Sequence, residues 1–176
     1  MKKYELTEET KTEFGVTLHR IRALRSFGDV EEGESGGWIE KEKNLSQEDN
    51  SWVSGNARVY GNARVYGNAL VYGDALVSGN ALVSGNAWVS GNAEVSGDAD
   101  ISSNSDIFLV TKIGSRNDTT TFFKSKENEI WVNCGCFSGN IDQFATKVTE
   151  THGDNEHGQA YRLAIQIAKL RIKVSE

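Results

Sequence analysis

The residues best suited to chemistry lie towards the C-terminal end of the chain. Cys134 and Cys136, with His152 and His157, supply the thiolate and imidazole donors that a tetrahedral zinc site uses. The spacing argues otherwise: a single residue separates the cysteines where roughly two to four are usual, and the histidines fall in or beside a loop bracketed by Gly153 and Gly158. Two free thiols packed as small hydrophobes is the simpler expectation, with neither metal nor cofactor implied. A second candidate is Gly114-Ser115-Arg116-Asn117-Asp118-Thr119-Thr120-Thr121, flanked by Lys112 and Lys124. A guanidinium among hydroxyls and turn amides is able to cradle a phosphate, which makes Ser115, Arg116, Asn117, Lys112 and Lys124 an anion-binding expectation. A plain hairpin turn accounts for the same residues.

These groups need a scaffold, and residues 55 to 102 declare it. Gly-(Asn/Asp)-Ala-x-(Val/Ile)-(Tyr/Ser) is written eight times without insertion, opening at Gly55 and recurring to Gly97, with an imperfect copy over 49 to 54. Ala57 and Val59 are two apart, so in an extended segment both point to one side. Each hexad is therefore a very short strand with an inward Ala-Val pair and a Gly-Asn or Gly-Asp corner. One copy cannot hold itself together, whereas stacked copies share a continuous core.

On these residues the chain resembles the hexapeptide-repeat, left-handed parallel β-helix, in which three hexads complete one triangular coil. The resemblance implies three coils of 18 over residues 49 to 102, with an outward column of Trp52, Leu70 and Trp88. The other two columns, Arg58-Leu76-Glu94 and Arg64-Leu82-Asp100, put Leu76 and Leu82 in the middle coil. Tyr60, Tyr66 and Tyr72 ring the first coil. A contiguous apolar stripe marks something that covers it. The expectation is the chain's own C-terminal segment or a sister subunit, with a foreign partner docking there as the alternative, and trimers are common among proteins of this resemblance.

The flanks read differently. Residues 1 to 48 form an N-terminal strand and an irregular capping coil in which Ile39 and Leu45 are six apart. Residues 1 to 15 are an edge strand or loose arm, and 16 to 27 a strand containing His19. Residues 103 to 176 read as a small α/β domain, βββαα, with strands near 106 to 113, 119 to 124 and 129 to 134. A helix follows from an N-cap in Ser138-Gly139-Asn140 to about Glu150, with a second from Gln159 to about Lys173.

Net charge is -6, spread as 8 basic and 11 acidic groups over 1 to 48, 2 and 5 over 49 to 102, and 9 and 9 over 103 to 176. Such a chain is no match for duplex nucleic acid. No apolar run approaches the ~20 residues that span a bilayer, so a cytoplasmic protein is expected. Hexapeptide acyltransferases, which the coils resemble, use a coil-edge histidine as general base and a loop extruded from the helix. The similar gamma-type carbonic anhydrases bind metal through histidines on their coils. No histidine and no insertion occurs in 49 to 102. The cap, with Gly36-Gly37-Trp38-Ile39-Glu40 and the Gly-Asn-Ala-Arg-Val-Tyr repeats, also resembles uncharacterised bacterial and phage proteins. That provenance implies a non-enzymatic, homo-oligomeric binding protein that inhibits a bacterial defence system, gripping a host protein or sequestering a nucleotide signal. The alternatives are an architectural scaffold that uses exposed solenoid ends, and a degenerate acyltransferase-like enzyme.

Overall fold

The computed structural model describes residues 1 to 174. The chain opens with β1 (Tyr4–Glu13) and β2 (Val16–Ala23), an antiparallel hairpin, followed by β3 (Ser35–Ile39). Nine two-residue strands come next: β4 (Trp52–Val53), β5 (Arg58–Val59), β6 (Arg64–Val65), β7 (Leu70–Val71), β8 (Leu76–Val77), β9 (Leu82–Val83), β10 (Trp88–Val89), β11 (Glu94–Val95) and β12 (Asp100–Ile101). They stack in parallel as three faces. One runs β3-β5-β8-β11 and carries the β1-β2 hairpin on its edge; the others are β4-β7-β10 and β6-β9-β12. Val59 pairs with Val77 and Val77 with Val95, so the inward residues form vertical files at a spacing of 18. The chain is a hexapeptide-repeat parallel β-helix of about four coils, the first opened by Ile39 on Val59 and by a bridge from Leu45 to Val65.

Coil holds to coil through the backbone and through the corners. Arg58 N–H donates to Ala75 C=O, Leu76 to Ala93 and Leu82 to Ala99, at 2.9, 2.8 and 2.8 Å. Every inward Ala and Val from Ala57 to Ala99 is buried. At the corners the Asn/Asp position forms side-chain ladders, Asn50 donating to Asn68 and Asn68 to Asn86, and Asn62 to Asn80 and Asn80 to Asp98, at 3.1 to 3.3 Å. Each amide thus satisfies the one above it.

Both solenoid ends are covered. At the first coil the hairpin wraps under the stack: Tyr4 and Phe27 pack edge-on against Trp52, with ring centroids 6.3 and 5.4 Å away, and Phe14 stacks on Tyr60 at 5.3 Å. Residues 1 to 15, expected as an edge strand or loose arm, are an edge strand. Lys3 is fully buried beneath this cap, its ammonium donating to Asp49 C=O and Ser51 C=O at 3.1 and 2.7 Å and lying 3.5 Å from the Asp49 carboxylate. Burial pulls its pKa down to about 8 despite Asp49. The Tyr4 phenol, buried and beside Glu42, is held well above its ordinary range.

At the last coil the C-terminal sheet closes the stack. It comprises β13 (Ile107–Ile113), β14 (Asp118–Lys124), β15 (Ile130–Cys134) and β16 (Phe137–Asn140), all antiparallel. Ile107 and Phe123 join the solenoid core. Thr121 Oγ1 accepts from Glu94 N–H at 3.0 Å, and Asn133 Nδ2 donates to Glu94 C=O and Ser96 Oγ, both at 2.9 Å. Side chains of the sheet thereby replace the missing next coil. Behind the sheet lie α1 (Ile141–His152) and α2 (Glu156–Arg171).

Four strands stand where three were expected. A two-residue turn, Gly135-Cys136, returns the chain as β16, pairing Cys134 with Phe137, before Asn140 caps α1. Likewise α2 begins at Glu156 rather than Gln159, because the Asn155 side chain accepts from Gly158 N–H at 2.9 Å and caps inside the expected loop.

Two predictions follow from the packing. Gly79 and Gly97 share a positive φ of 66° and 64°, but a Cβ at Gly79 would lie 2.7 Å from Gly97 N whereas one at Gly97 meets nothing within 4 Å. Gly97→Ala is expected to cost about 1–2 kcal/mol in denaturant unfolding, the backbone penalty alone, and Gly79→Ala distinctly more. Lys3 sets a pH dependence. Below about pH 8 it is charged in both states, and between about 8 and 10.5 the folded chain has released a proton that the unfolded chain still holds, so stability rises across that window. Above ~10 the buried tyrosines reverse the trend. Unfolding midpoints should increase from about pH 7.5 to about 9.5, and Lys3→Met should flatten that rise.

Candidate functional site

The cleft richest in reactive groups lies in the C-terminal sheet, where the turn between β13 and β14, the turn between β15 and β16, and the two helices converge. It encloses about 320 Å³ and is lined by Ser115, Arg116 and Asp118 from the first turn, Cys134 and Cys136 from the second, and Lys147, His152 and Tyr161 from the helices, over an apolar floor of Phe137, Phe144 and Val148.

Local sequence explains the convergence. The β13-β14 connection turns at Gly114 and at Asn117, whose φ is 51° and whose N–H bonds Gly114 C=O at 3.2 Å. This aims Ser115 and Arg116 across the sheet towards the neighbouring turn. There the Arg116 guanidinium rests on Gly135, where an added Cβ would sit 1.8 Å from Arg116 Nη2. The glycine between the cysteines is thus the seat of the arginine. Tyr161 reaches in from α2, its ring edge-on to Phe144 at 5.5 Å and its hydroxyl against Gly114 and 3.6 Å from Cys134 Sγ. Cys134 Sγ also accepts from Thr120 Oγ1 at 3.2 Å. Burial, reinforced by Cys134, pushes the Tyr161 phenol up to about 12, so it stays protonated and is a donor at neutral pH.

His152 closes the last turn of α1 with its ring 5.6 Å from that of Tyr161 and 5.8 Å from that of His157. Chemically the cleft offers an imidazole able to take a proton, a thiol and a phenol at its wall, and two cations, Arg116 and Lys147, against one carboxylate, Asp118.

The structure sorts the sequence candidates. Ser115 and Arg116 enter the cleft together with Cys134, Cys136 and His152, while Asn117 serves the turn. Lys112 sits exposed in a β-bulge, and Lys124 pairs with Ile130 at the far end of β14, roughly 20 Å of strand away from Arg116. That placement corrects the expectation of a five-residue anion loop. Among the described residues no group of three or more His, Cys, Asp and Glu is arranged to hold a metal ion. Tyr161 and Lys147 were missed, and Asp118 was noted only as part of the turn; the i, i+4 spacing of Tyr161 and Ile165 marks the buried face of α2 and says nothing of a polar tip.

The apolar column also needs correction. Trp52 is 3% exposed, and its cover is the N-terminal segment rather than the C-terminal segment or a sister subunit. Leu70 is half-buried, and Trp88, 52% exposed, stands at one end of a cleft with Leu70 and the Asn50-Asn68-Asn86 ladder. Leu76 and Leu82 are half-buried on the other faces, Tyr60 lies under Phe14, and Tyr66 and Tyr72 are exposed. No helix among the described residues is long and apolar enough to cross a membrane.

Comparison with known proteins bears on the repeats. A model of the YdcK β-solenoid repeat matches residues 53–65, 63–79 and 75–91. The chain is similar to "Uncharacterized acetyltransferase YdcK" of Escherichia coli (strain K12), 41% identical over 61 residues, which cover 30% of this chain and 19% of that protein. The chain therefore spans about a fifth of the length of the curated relative it matches. This similarity overturns the expectation of a non-enzymatic, phage-derived inhibitor of bacterial defence. That expectation rested on provenance, whereas the repeats are similar to those of a protein named as an acetyltransferase.

Thiol chemistry checks the cleft geometry. Cys136 is exposed, while Cys134 is half-buried and held by Thr120 and Tyr161. Titration of the native protein with an aromatic disulfide reagent should show one fast thiol, and Cys136→Ser should remove that phase and leave the slow one.

Proposed function

We propose that this β-helix protein is an acyltransferase-like enzyme that accepts an acyl thioester, such as acyl-CoA, in the cleft of the C-terminal sheet. The similarity of its coils to a protein named as an acetyltransferase carries the reading. The cleft supplies its location, because among the described residues no histidine lies on the coils between 49 and 102. Arg116 and Lys147 meet the phosphates of the donor, and Phe137, Phe144 and Val148 receive its apolar arm and acyl group. His152 takes the proton from the acceptor's amine or hydroxyl as that atom forms its bond to the thioester carbonyl. The carbon–sulfur bond then breaks, and the departing thiolate is reprotonated. Tyr161, protonated at neutral pH, donates towards the oxyanion or the leaving sulfur.

A scaffold growing from open solenoid ends is the other reading. Its premise is weakened by the β1-β2 hairpin on the first coil and by Thr121 and Asn133 on the last.

The test is release of free thiol from acyl-CoA in the presence of mixed amine and hydroxyl acceptors. Turnover above the protein-free blank is expected, falling about 100-fold or more in His152→Ala, with Arg116→Ala acting mainly on KM. A rate indistinguishable from the blank with acetyl, succinyl and longer acyl donors would sink the proposal.

A further inference from the structure

Helix α2 carries two apolar stripes where its place in the fold uses one. Tyr161, Ile165 and Ala168, with Ile172 beyond the last turn, face the sheet and α1 and are buried. Offset from them by two residues, on the opposite side, run Leu163, Ile167 and Leu170, exposed by 60%, 45% and 71%, at a spacing of four and then three within the helix. That is the seam spacing of helices that pack against one another, and a helix apolar on both sides is a buried helix.

We infer that the outer face of α2 is a self-association surface on which a second copy of this chain docks its own α2 antiparallel, forming a two-fold dimer. The charges on the helix select both the partner and the direction. Its first turn is acidic, with Glu156, and its last turn basic, with Lys169 and Arg171. Lys169 is engaged by Asp142 at 3.0 Å, whereas Arg171 and the following Lys173 make no ion pair among the described residues. A parallel arrangement would set Arg171 and Lys173 against their own kind and align the helix dipoles. The antiparallel one brings Glu156 level with the partner's Arg171, opposes the dipoles, and seats Ile167 opposite the small Ala160 of the partner subunit. A two-fold interface is self-complementary, as this helix is with itself.

Sedimentation velocity on the full chain measures it, alongside circular dichroism to establish folding. A dimer is expected that dissociates in Ile167→Glu with the spectrum and melting temperature retained. Glu156→Arg alone should weaken it about fivefold to tenfold through two lost pairs, and Glu156→Arg with Arg171→Glu should restore it. Direction is read from that rescue, since in a parallel pair the double swap restores nothing and would overturn the antiparallel assignment. A wild-type chain that stays monomeric up to about 100 µM, or an oligomer indifferent to Ile167→Glu, would overturn the proposal altogether. Dissociation of a dimer held by the solenoid faces would instead require substitution at Trp88 or Leu82.

Discussion

Everything in this structure depends on one backbone offset, the hydrogen bond from each residue to the residue 17 positions later, as from Arg58 N–H to Ala75 C=O. A strand of two residues has no stability of its own, so each coil exists only because another lies against it. The offset brings Val onto Val, Gly onto Gly and Asn onto Asn, and every side-chain ladder follows from it. It also poses the problem of the two ends, where donors and acceptors have no further coil to meet. Tyr4, Lys3 and the hairpin answer it at one end, and Thr121, Asn133 and Phe123 at the other.

The same economy explains why the reactive cleft is not on the solenoid. Inward positions are filled by Ala and Val, and the corner amides are satisfied by their own neighbours up and down the stack. A regular stack leaves shallow surfaces and few polar groups free to converge. In the C-terminal sheet two tight turns and two helix ends meet instead, and Gly135 lets the Arg116 guanidinium lie against the second turn. Irregular backbone supplies the concavity that the repeats cannot.

What the sequence made legible follows from this division. The hexads marked the short strands and their Ala-Val core by period, while the coil of 18 and its register came from the resemblance to hexapeptide-repeat β-helices. Asn140 and Asp142 marked the start of α1 through cap chemistry that is local. The strand Phe137–Asn140 was hidden because Gly135-Cys136 reads as ligand chemistry before it reads as a two-residue turn. The burial of Trp52 under Tyr4 and Phe27 was invisible because its cover arrives from residues 25 and more positions away. Cys134 and His152 were named apart from Arg116, and only the fold assembles all three with Tyr161 in one cleft.

Because coils are interchangeable and the segments that seal the stack reach no further than its terminal coils and their immediate neighbours, as Lys126 reaches Asn80 C=O, the rod between the seals is a unit of adjustable length. Gain or loss of 18 residues at any corner would move the α/β tip nearer to or farther from the hairpin by one strand spacing, about 4.8 Å, and leave both closures in register. The molecule is in that sense a ruler with graduations of one coil.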